Sequence, residues 1–410
     1  MYLEIAGLIL SILTIIILIR RGKMLLWALL AGSAVISLFS LLTPGEMLDV
    51  ILQTVQNPAT IFLVLMVTGI SLFGYCLGKT GTMQKMVDSM YQIIADARYL
   101  AALLPAVVSF LAIPGGAIMS APMVDKAAKD LKLSSVDLSL INLMFRHLFV
   151  FISPLSPAII FISSMTGENI FRFILFALPA FFVTLAVSFK YSFRRAVKVT
   201  PEPSKKDFWP RVADLLKSFS PFFLVFFLYL VFDLYLPLAI LIGVVSTLFL
   251  YLPPGETIKP VLQKRWKYLY QGIDWSMVAT TFTIMLYKTI IENADSLTDG
   301  VNLILDRGFP LFILLILAPY LFSLMIGNST AALGIVLPLL LPVLDGGSSR
   351  MAQLGIIYVS SHLGYLGSPV HLCTYLTTTY FKAPLFQVVL EINLLGVPTL
   401  VAALVFSLFY

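Results

Sequence analysis

Long apolar runs without charged residues constrain this chain more than any other feature. The first extends from Ile5 to Ile19, and similar runs recur toward the C-terminal end. Runs of about 18 or more apolar residues cross a bilayer as helices, because a helix satisfies its own backbone hydrogen bonds in lipid. Charged residues make up 12% of the chain, against roughly 25% in a soluble domain. The sequence therefore predicts an all-α polytopic membrane protein without a sizeable soluble domain.

The apolar pattern predicts about ten transmembrane helices and two interrupted stretches. The expected spans are 3–19, 25–43, 60–78, 138–166, 170–190, 219–235, 236–252, 274–292, 352–380 and 385–409. The stretches 99–131 and 308–344 are too long for one helix, and each contains a breaker near its middle. We therefore expect two re-entrant hairpins, with tips at Pro114-Gly115-Gly116 and at Gly327-Asn328-Ser329-Thr330.

The distribution of basic residues predicts the orientation. Basic clusters occur at Arg20, Arg21 and Lys23 and in the segments 79–98, 191–218 and 253–271. Positive loops stay on the cytoplasmic side, and one count of spans puts every cluster inside and both termini outside. We interpret the net charge of +6 as topogenic and expect no nucleic-acid partner. Because the first apolar run precedes its basic cluster, we expect an uncleaved anchor rather than a signal peptide.

A weak internal repeat divides the chain. His147-Leu148 and Ser153-Pro154 recur in register as His362-Leu363 and Ser368-Pro369. The order of elements also repeats, and the orientation rule has the two units entering from opposite sides. We therefore predict inverted repeats, a design shared by many secondary transporters; chance similarity between two apolar segments is the alternative. The predicted organisation is 1–59 as N-terminal scaffold helices, 60–190 as the first repeat (hairpin 99–131, broken helix 138–166), 191–218 as a cytoplasmic linker, 219–273 as scaffold helices and a basic loop, and 274–410 as the second repeat (hairpin 308–344, broken helix 352–380).

Four helix breaks at membrane depth form the candidate site. Non-helical backbone survives in a bilayer only where it is buried in protein or lines a watery cavity. Half-helix N-termini attract anions, and freed carbonyls and small hydroxyls suit Na⁺. The candidate Na⁺ ligands are Pro114, Gly115, Ser153, Gly327, Asn328, Ser329, Gly367 and Ser368. The candidate substrate-binding residues are Gly115, Gly116, Arg146, Ser156, Asn328, Ser329, Thr330, His371 and Thr374. A structural kink is the alternative for each break.

Arg146 and three histidines are the most informative polar side chains in the apolar segments. A buried arginine is costly in a membrane, so it is usually paired or functional. Arg146 is a counter-ion for an anionic substrate, a structural partner of a carboxylate such as Asp125, or a side chain that reaches toward the cytoplasm. His147, His362 and His371 lie in the broken spans. They either couple transport to protons or form helix-packing hydrogen bonds.

Four motifs carry a resemblance to a known family. They are Pro-Gly-Gly-Ala-Ile-Met-Ser-Ala-Pro-Met-Val (114–124), Phe-Arg-His (145–147), Gly-Asn-Ser-Thr-Ala-Ala (327–332) and Gly-Ser-Pro-Val-His-Leu-Cys (367–373). Over most of its length the chain resembles the DUF401 family of prokaryotic integral membrane proteins. That family is similar to the ion-transporter superfamily, which includes the divalent-anion/Na⁺ symporters.

This resemblance implies an elevator mechanism, a prokaryotic inner-membrane location and a scaffold that forms a homodimer. The symporters carry a Ser-Asn-Thr motif at each hairpin tip. Asn328-Ser329-Thr330 has the same residue types in another order. Pro114-Gly115-Gly116 departs from the motif, which leaves a single coupling ion or proton coupling as alternatives to two full Na⁺ sites.

The sequence thus predicts a secondary active transporter, a Na⁺- or H⁺-coupled carrier of a small organic anion, with no cofactor besides Na⁺ as coupling ion. An ion channel is the first alternative, although channels more often repeat short subunits by rotation. An intramembrane enzyme is less favoured, because the chain lacks a His-Glu-x-x-His motif, a membrane aspartate pair and a Gly-x-Ser-x-Gly elbow. Cys76 and Cys373 lie in apolar segments and indicate neither a disulfide framework nor a metal site.

Overall fold

The computed structural model describes residues 2–109, 116–197, 208–252, 258–293, 301–302, 304–345 and 349–409, and the regular elements among them are helical. The helices are α1 Tyr2–Arg20, α2 Leu25–Phe39, α3 Pro44–Gln56, α4 Pro58–Lys79, α5 Thr82–Ile93, α6 Ala97–Ser109, α7 Gly116–Ala127, α8 Ser135–Leu148, α9 Pro157–Thr166, α10 Ile170–Ser192, α11 Phe208–Val231, α12 Leu236–Leu248, α13 Ile258–Trp266, α14 Tyr268–Gln271, α15 Trp275–Glu292, α16 Leu311–Ile326, α17 Ser329–Leu340, α18 Ser349–Leu366, α19 Leu372–Phe381 and α20 Leu385–Ser407.

Five of these helices are long and apolar enough to cross a membrane, namely α1, α4, α10, α11 and α20. Shorter apolar helices accompany them, including α2, α12 and α16. Large apolar side chains such as Leu10, Phe182 and Leu394 are exposed on the outer surface, as expected where lipid replaces water. The prediction of an all-α polytopic membrane protein is confirmed. The number of crossings stays a prediction.

Several segments expected to be loops contain helices. The expected linker 191–218 includes the first residues of α11, which begins at Phe208, and the expected basic loop 253–271 contains α13 and α14. The segment 44–59, between two expected spans, contains α3, and the expected inside segment 79–98 contains α5. Both helices are amphipathic, and a search for long apolar runs misses such helices. α3 begins with a capping box, in which Thr43 and Glu46 exchange hydrogen bonds. These hydrogen bonds lower the pKa of the exposed Glu46 carboxyl.

Each span expected to be broken consists of two helices separated by a short non-helical or 3₁₀ segment. The stretch 138–166 contains α8 and α9, and the stretch 352–380 contains α18 and α19. Pro157 opens α9, where a missing backbone N–H costs nothing because the first helical turn has no internal acceptor for it. The two breaks leave the C-terminal ends of α8 and α18 close to the N-terminal ends of α9 and α19.

Both hairpins consist of two helices packed against each other. α6 packs against α7, and α16 packs against α17. Pro114 and Gly115, expected at the first tip, lie outside the described residues, and α7 begins at Gly116. The second tip is short, because Gly327 and Asn328 alone join α16 to α17. Gly327 adopts a positive φ of 70°, a conformation that glycine reaches without steric cost.

Helix boundaries recur at a fixed spacing in the two halves of the chain. Thr184 of α10 and Thr399 of α20 lie 215 residues apart, and their hydroxyls form a hydrogen bond of 2.8 Å. The first and last residues of α10 and α20 have this same separation, as do those of α9 and α19. Phe176 also meets Phe406, with ring centroids 5.8 Å apart. Because Phe176 precedes Thr184 whereas Phe406 follows Thr399, α10 and α20 run antiparallel.

The hairpins pack across the two halves. The second arm of the first hairpin, α7, packs against α19, and the second arm of the second hairpin, α17, packs against α9. Asn142 on α8 connects α7 to α19, since its amide donates to the Thr377 hydroxyl at 2.8 Å and to the Ala117 carbonyl at 3.3 Å. Between α17 and α9, Gly334 lies close to Phe161. Each hairpin therefore contacts a half-helix from the opposite half of the chain.

Candidate functional site

The two helix breaks bring a set of polar side chains into the protein interior. Arg146 and His147 lie in the last turn of α8. His362 lies near the end of α18, and His371 is the residue immediately before α19. Arg146 is 5% exposed and the three histidines are buried. These side chains come from both halves of the chain and meet where the regular backbone is interrupted.

Five aromatic and imidazole rings form a continuous chain at this junction. The rings of His147 and His371 have centroids 4.8 Å apart, and the ring of Tyr365 lies 4.1 Å from that of His371. Tyr365 also lies 6.0 Å from His362, which contacts the ring of Phe151 at 4.2 Å. All three histidines of the protein therefore belong to one cluster.

Arg146 is buried without an ionic partner among the described residues. Its Nη1 atom has no hydrogen-bond partner there. Asp125, the carboxylate suggested as a structural partner, instead approaches the Tyr380 hydroxyl at 3.5 Å. The low exposure of the Arg146 side chain also argues against a guanidinium that reaches the surface. A buried cation without a counter-ion is unfavourable, so the site suits an anion from outside the chain.

Other buried polar atoms near the breaks also lack partners in the described part of the chain. These atoms are the Ser156 hydroxyl, Nε2 of His371 and both ring nitrogens of His362. Ser156 and His371 occupy equivalent positions, since each precedes the second half-helix of its broken span. Buried polar atoms in proteins are normally hydrogen-bonded. At the breaks, a ligand, an ion or water would supply the missing partners.

The second hairpin tip docks directly on the second break. The backbone at Gly327 lies against Val370 and His371, so that a Cβ there would meet both. The Ser368 hydroxyl donates to the Leu324 carbonyl at 2.6 Å. Asn328 Oδ1 accepts a hydrogen bond from the Ala331 N–H at 2.9 Å. The tip and the break are thus brought together, while the oxygens of Asn328 and Ser368 are engaged in local hydrogen bonds.

The remaining candidate residues vary in how closely they approach the junction. Thr374 is buried, and its hydroxyl lies 3.4 Å from Nδ1 of His371. The carbonyl of Ser329 accepts a hydrogen bond from Ser361 at 3.3 Å. The Ser153 hydroxyl accepts one from the backbone of Leu155 at 3.3 Å. The Gly367 carbonyl accepts a hydrogen bond from the Asn393 amide at 3.1 Å, and Thr330 is half-buried in the first turn of α17. Gly116 is the first residue of α7.

Sequence reasoning missed Tyr365, Cys373 and Asn142. Tyr365 follows His362 by three residues and so shares its helix face, a signal that was present in the sequence. Cys373 lies two residues after His371, but only the fold brings it near His147. Asn142 lies one turn before Arg146 on α8, and its partners are distant in sequence. The apolar surroundings of Cys373 in the sequence did not predict its grouping with His147 and His371.

Comparison with known proteins gives one result over nearly the whole chain. Residues 5–409 match the family described as protein of unknown function, DUF401. No curated protein matches the chain. The matched region includes both helix breaks and the second hairpin tip. The chain, a polytopic membrane protein whose buried arginine and histidines meet at two helix breaks, belongs to the DUF401 family.

Proposed function

We propose that this protein is a secondary active transporter, a Na⁺- or H⁺-coupled carrier of a small organic anion. One observation carries the proposal. The guanidinium of Arg146 is buried at the junction of two helix breaks, without a carboxylate partner in the described part of the chain. A membrane protein holds such a charge where a substrate or ion pathway needs it. A carboxylate is the complementary ligand, since it pairs with guanidinium through charge-assisted hydrogen bonds.

The anion would lie between Arg146 and the N-terminal ends of α9 and α19. Both half-helices begin at the breaks, and the residues before them, Ser156 and His371, have no capping hydrogen bond from their side chains. Helix N-termini carry partial positive charge and free N–H groups, which attract anions. The coupling ion would be Na⁺ near Gly327, Asn328 and the 367–368 backbone, or a proton on the histidine cluster.

The proposed architecture is two inverted repeats with both hairpins re-entrant. The shared spacing of helix boundaries supports a duplication. The antiparallel contact of α10 with α20, through Thr184 and Thr399, supports a two-fold axis perpendicular to these helices. For helices that cross the bilayer, such an axis lies in the membrane plane, as in inverted-repeat transporters. By their positions in the two halves, α12 corresponds approximately to α2 and α15 to α4. The pairs α2 with α15 and α12 with α4 both pack together, which supports a duplication that includes α2 and α12.

We further propose an elevator mechanism. The hairpins, the broken helices and the closing helices interlock through Asn142 and through the docked second tip, which favours movement as one body. The segments 1–59 and 219–273 would provide the scaffold against which that body slides. The scaffold would also form the homodimer interface implied by the family resemblance. Both termini would face outside in a prokaryotic inner membrane.

Melting of the detergent-purified protein tests the function. A ligand that binds the folded state at 100 times its Kd raises the free energy of unfolding by about 2.7 kcal/mol, and the melting temperature rises with it. We expect a panel of small carboxylates to contain at least one that stabilises the protein, and Na⁺ to deepen this effect relative to K⁺ or choline. A carboxylate response that depends on pH but not on Na⁺ would favour proton coupling. The absence of any carboxylate response would contradict an organic-anion carrier.

Replacement of Asn328 with alanine should remove the dependence of anion binding on Na⁺. The substitution deletes a side-chain oxygen at the proposed ion site and also the cap of α17, which costs about 1 kcal/mol. Asn169→Ala is the matched control, because Asn169 caps α10 in the same way through the Phe171 N–H at 2.8 Å. Na⁺-dependent melting shifts would be lost in the first variant and kept in the second. Equal responses of the two variants would remove Asn328 from the ion site. If the melting temperature of the wild-type protein responds to pH but not to Na⁺, the proposal of a Na⁺ site at Asn328 is wrong.

A further inference from the structure

Three side chains that bind transition metals converge between α8 and α19. A ring nitrogen of His147, a ring nitrogen of His371 and the sulfur of Cys373 all lie within 4.8 Å of one another. All three side chains are buried, at 4%, 3% and 8% exposure. Imidazole and thiolate are the ligands that Zn²⁺ and similar ions prefer, whereas Na⁺, Mg²⁺ and Ca²⁺ prefer oxygen.

The hydrogen bonds of the two imidazoles suit metal binding. Nδ1 of His147 lies 2.8 Å from the Leu143 carbonyl. The carbonyl accepts a hydrogen bond from Nδ1–H, and the lone pair on Nε2 is left free. Metal-binding histidines are typically oriented in this way by a carbonyl or carboxylate on their second nitrogen. Nε2 of His371 is buried and has no hydrogen-bond partner among the described residues. Each ring therefore has one nitrogen free for a metal ion.

We propose that His147, His371 and Cys373 form a three-ligand site for Zn²⁺ with an open fourth position. Zinc–nitrogen and zinc–sulfur bonds of about 2.0–2.3 Å place tetrahedral ligands roughly 3.4–3.6 Å apart. Side-chain rotations that move each ligand atom by about 1 Å would bring the atoms to these separations. Three protein ligands with one open position are typical of zinc sites that bind water or a substrate.

The charge of Arg146 explains what the fourth position would hold. The buried guanidinium belongs to the residue next to His147 in the last turn of α8, and its positive charge repels a bare cation at this place. The Cys373 thiolate offsets one positive charge, and an anion bound to both the zinc and Arg146 offsets another. Only this last step rests on the proposed function, since the three protein ligands bind metal whether or not an organic anion is transported.

Metal binding by the purified full-length protein tests the site directly. Protein stripped with a chelator is loaded with Zn²⁺ or Co²⁺, dialysed, and measured for metal content and for absorption by the cobalt form. We expect about one ion per chain and a thiolate-to-cobalt charge-transfer band. Cys373→Ser and His371→Asn should each lower the zinc affinity more than about 100-fold, because even second-shell changes cost 10–100-fold.

Cys76→Ser is the matched control, since Cys76 is the other buried free cysteine and lies on α4. It should keep the charge-transfer band that Cys373→Ser loses. Wild-type protein that retains no stoichiometric metal would overturn the proposal, as would a band that depends on Cys76. Zinc binding through the cluster without any carboxylate response would support the metal site and contradict the carrier. Carboxylate binding by protein that takes up no zinc would do the reverse.

Discussion

Arg146→Met is expected to abolish most of the stabilisation that a bound carboxylate gives. The substitution keeps an apolar chain of similar length and removes a charge-assisted hydrogen bond to the anion, worth about 1.5–3 kcal/mol. Anion affinity should therefore fall roughly 10–150-fold. Without anion, the variant should melt at the same temperature as wild type or higher, because a buried charge without a partner costs stability. The measurement is the melting temperature as a function of carboxylate concentration.

Arg172→Met separates this effect from the general loss of a positive charge. Arg172 forms an ion pair of 2.6 Å with Glu168, and its side chain is 50% exposed. Exposed pairs contribute at most about 1 kcal/mol, so this variant should keep the full anion response. A structural role for Arg146 predicts the opposite ranking: a lower melting temperature without anion and an unchanged anion response. That result would remove the observation on which the proposed function depends.

Gly364→Ala is expected to destabilise the protein strongly. A Cβ at Gly364 would overlap the main chain of Tyr320, where α18 crosses α16. Backbone cannot move aside as a side chain can, so the cost should reach or exceed the 1–3 kcal/mol typical of overpacked cores. The same displacement would move His362, two residues earlier on α18, relative to the ring of Phe151, whose centroid lies 4.2 Å away. The melting temperature and the yield of monodisperse protein measure the effect.

Gly78→Ala is the corresponding control. Gly78 lies near the end of α4, and a Cβ there would meet no atom within 4 Å. Alanine is favoured over glycine in helices by roughly 0.5–1 kcal/mol, so this variant should be unchanged or slightly more stable. A neutral Gly364→Ala would show that α16 and α18 do not approach each other as closely as described.

The features that the sequence predicted are those encoded locally. Uncharged runs such as that from Ile5 to Ile19 place a membrane helix without reference to the rest of the chain. The breaks at Ser156-Pro157 and Gly367-Ser368 were similarly visible, because proline and glycine interrupt helices wherever they occur. Amphipathic helices such as α3 were missed, since their apolar residues are periodic rather than continuous.

The composition of the site depends on tertiary contacts that no local pattern encodes. His147 and His371 were recognised separately as polar residues in broken spans. Their approach to within 4.8 Å of each other depends on how α8 packs against α19. Cys373 joined them only through that packing. The absence of a carboxylate beside Arg146 in the described part of the chain is likewise a property of the assembled fold, because Asp125 was an equally reasonable partner from the sequence.

The hydrogen bond between Thr184 and Thr399 has an evolutionary consequence. In the proposed inverted-repeat architecture this contact lies on the two-fold axis, like a contact between two copies of one shorter chain in a symmetric dimer. An ancestor of half the present length, inserted in the membrane in both orientations, would pair through the same threonine on each copy. Fusion of two such genes would let the halves diverge, so that the position equivalent to Arg146 in the second half is now occupied by Ser361. The ancestral dimer would have carried two identical sites, and the fused chain is free to keep its arginine on one side alone.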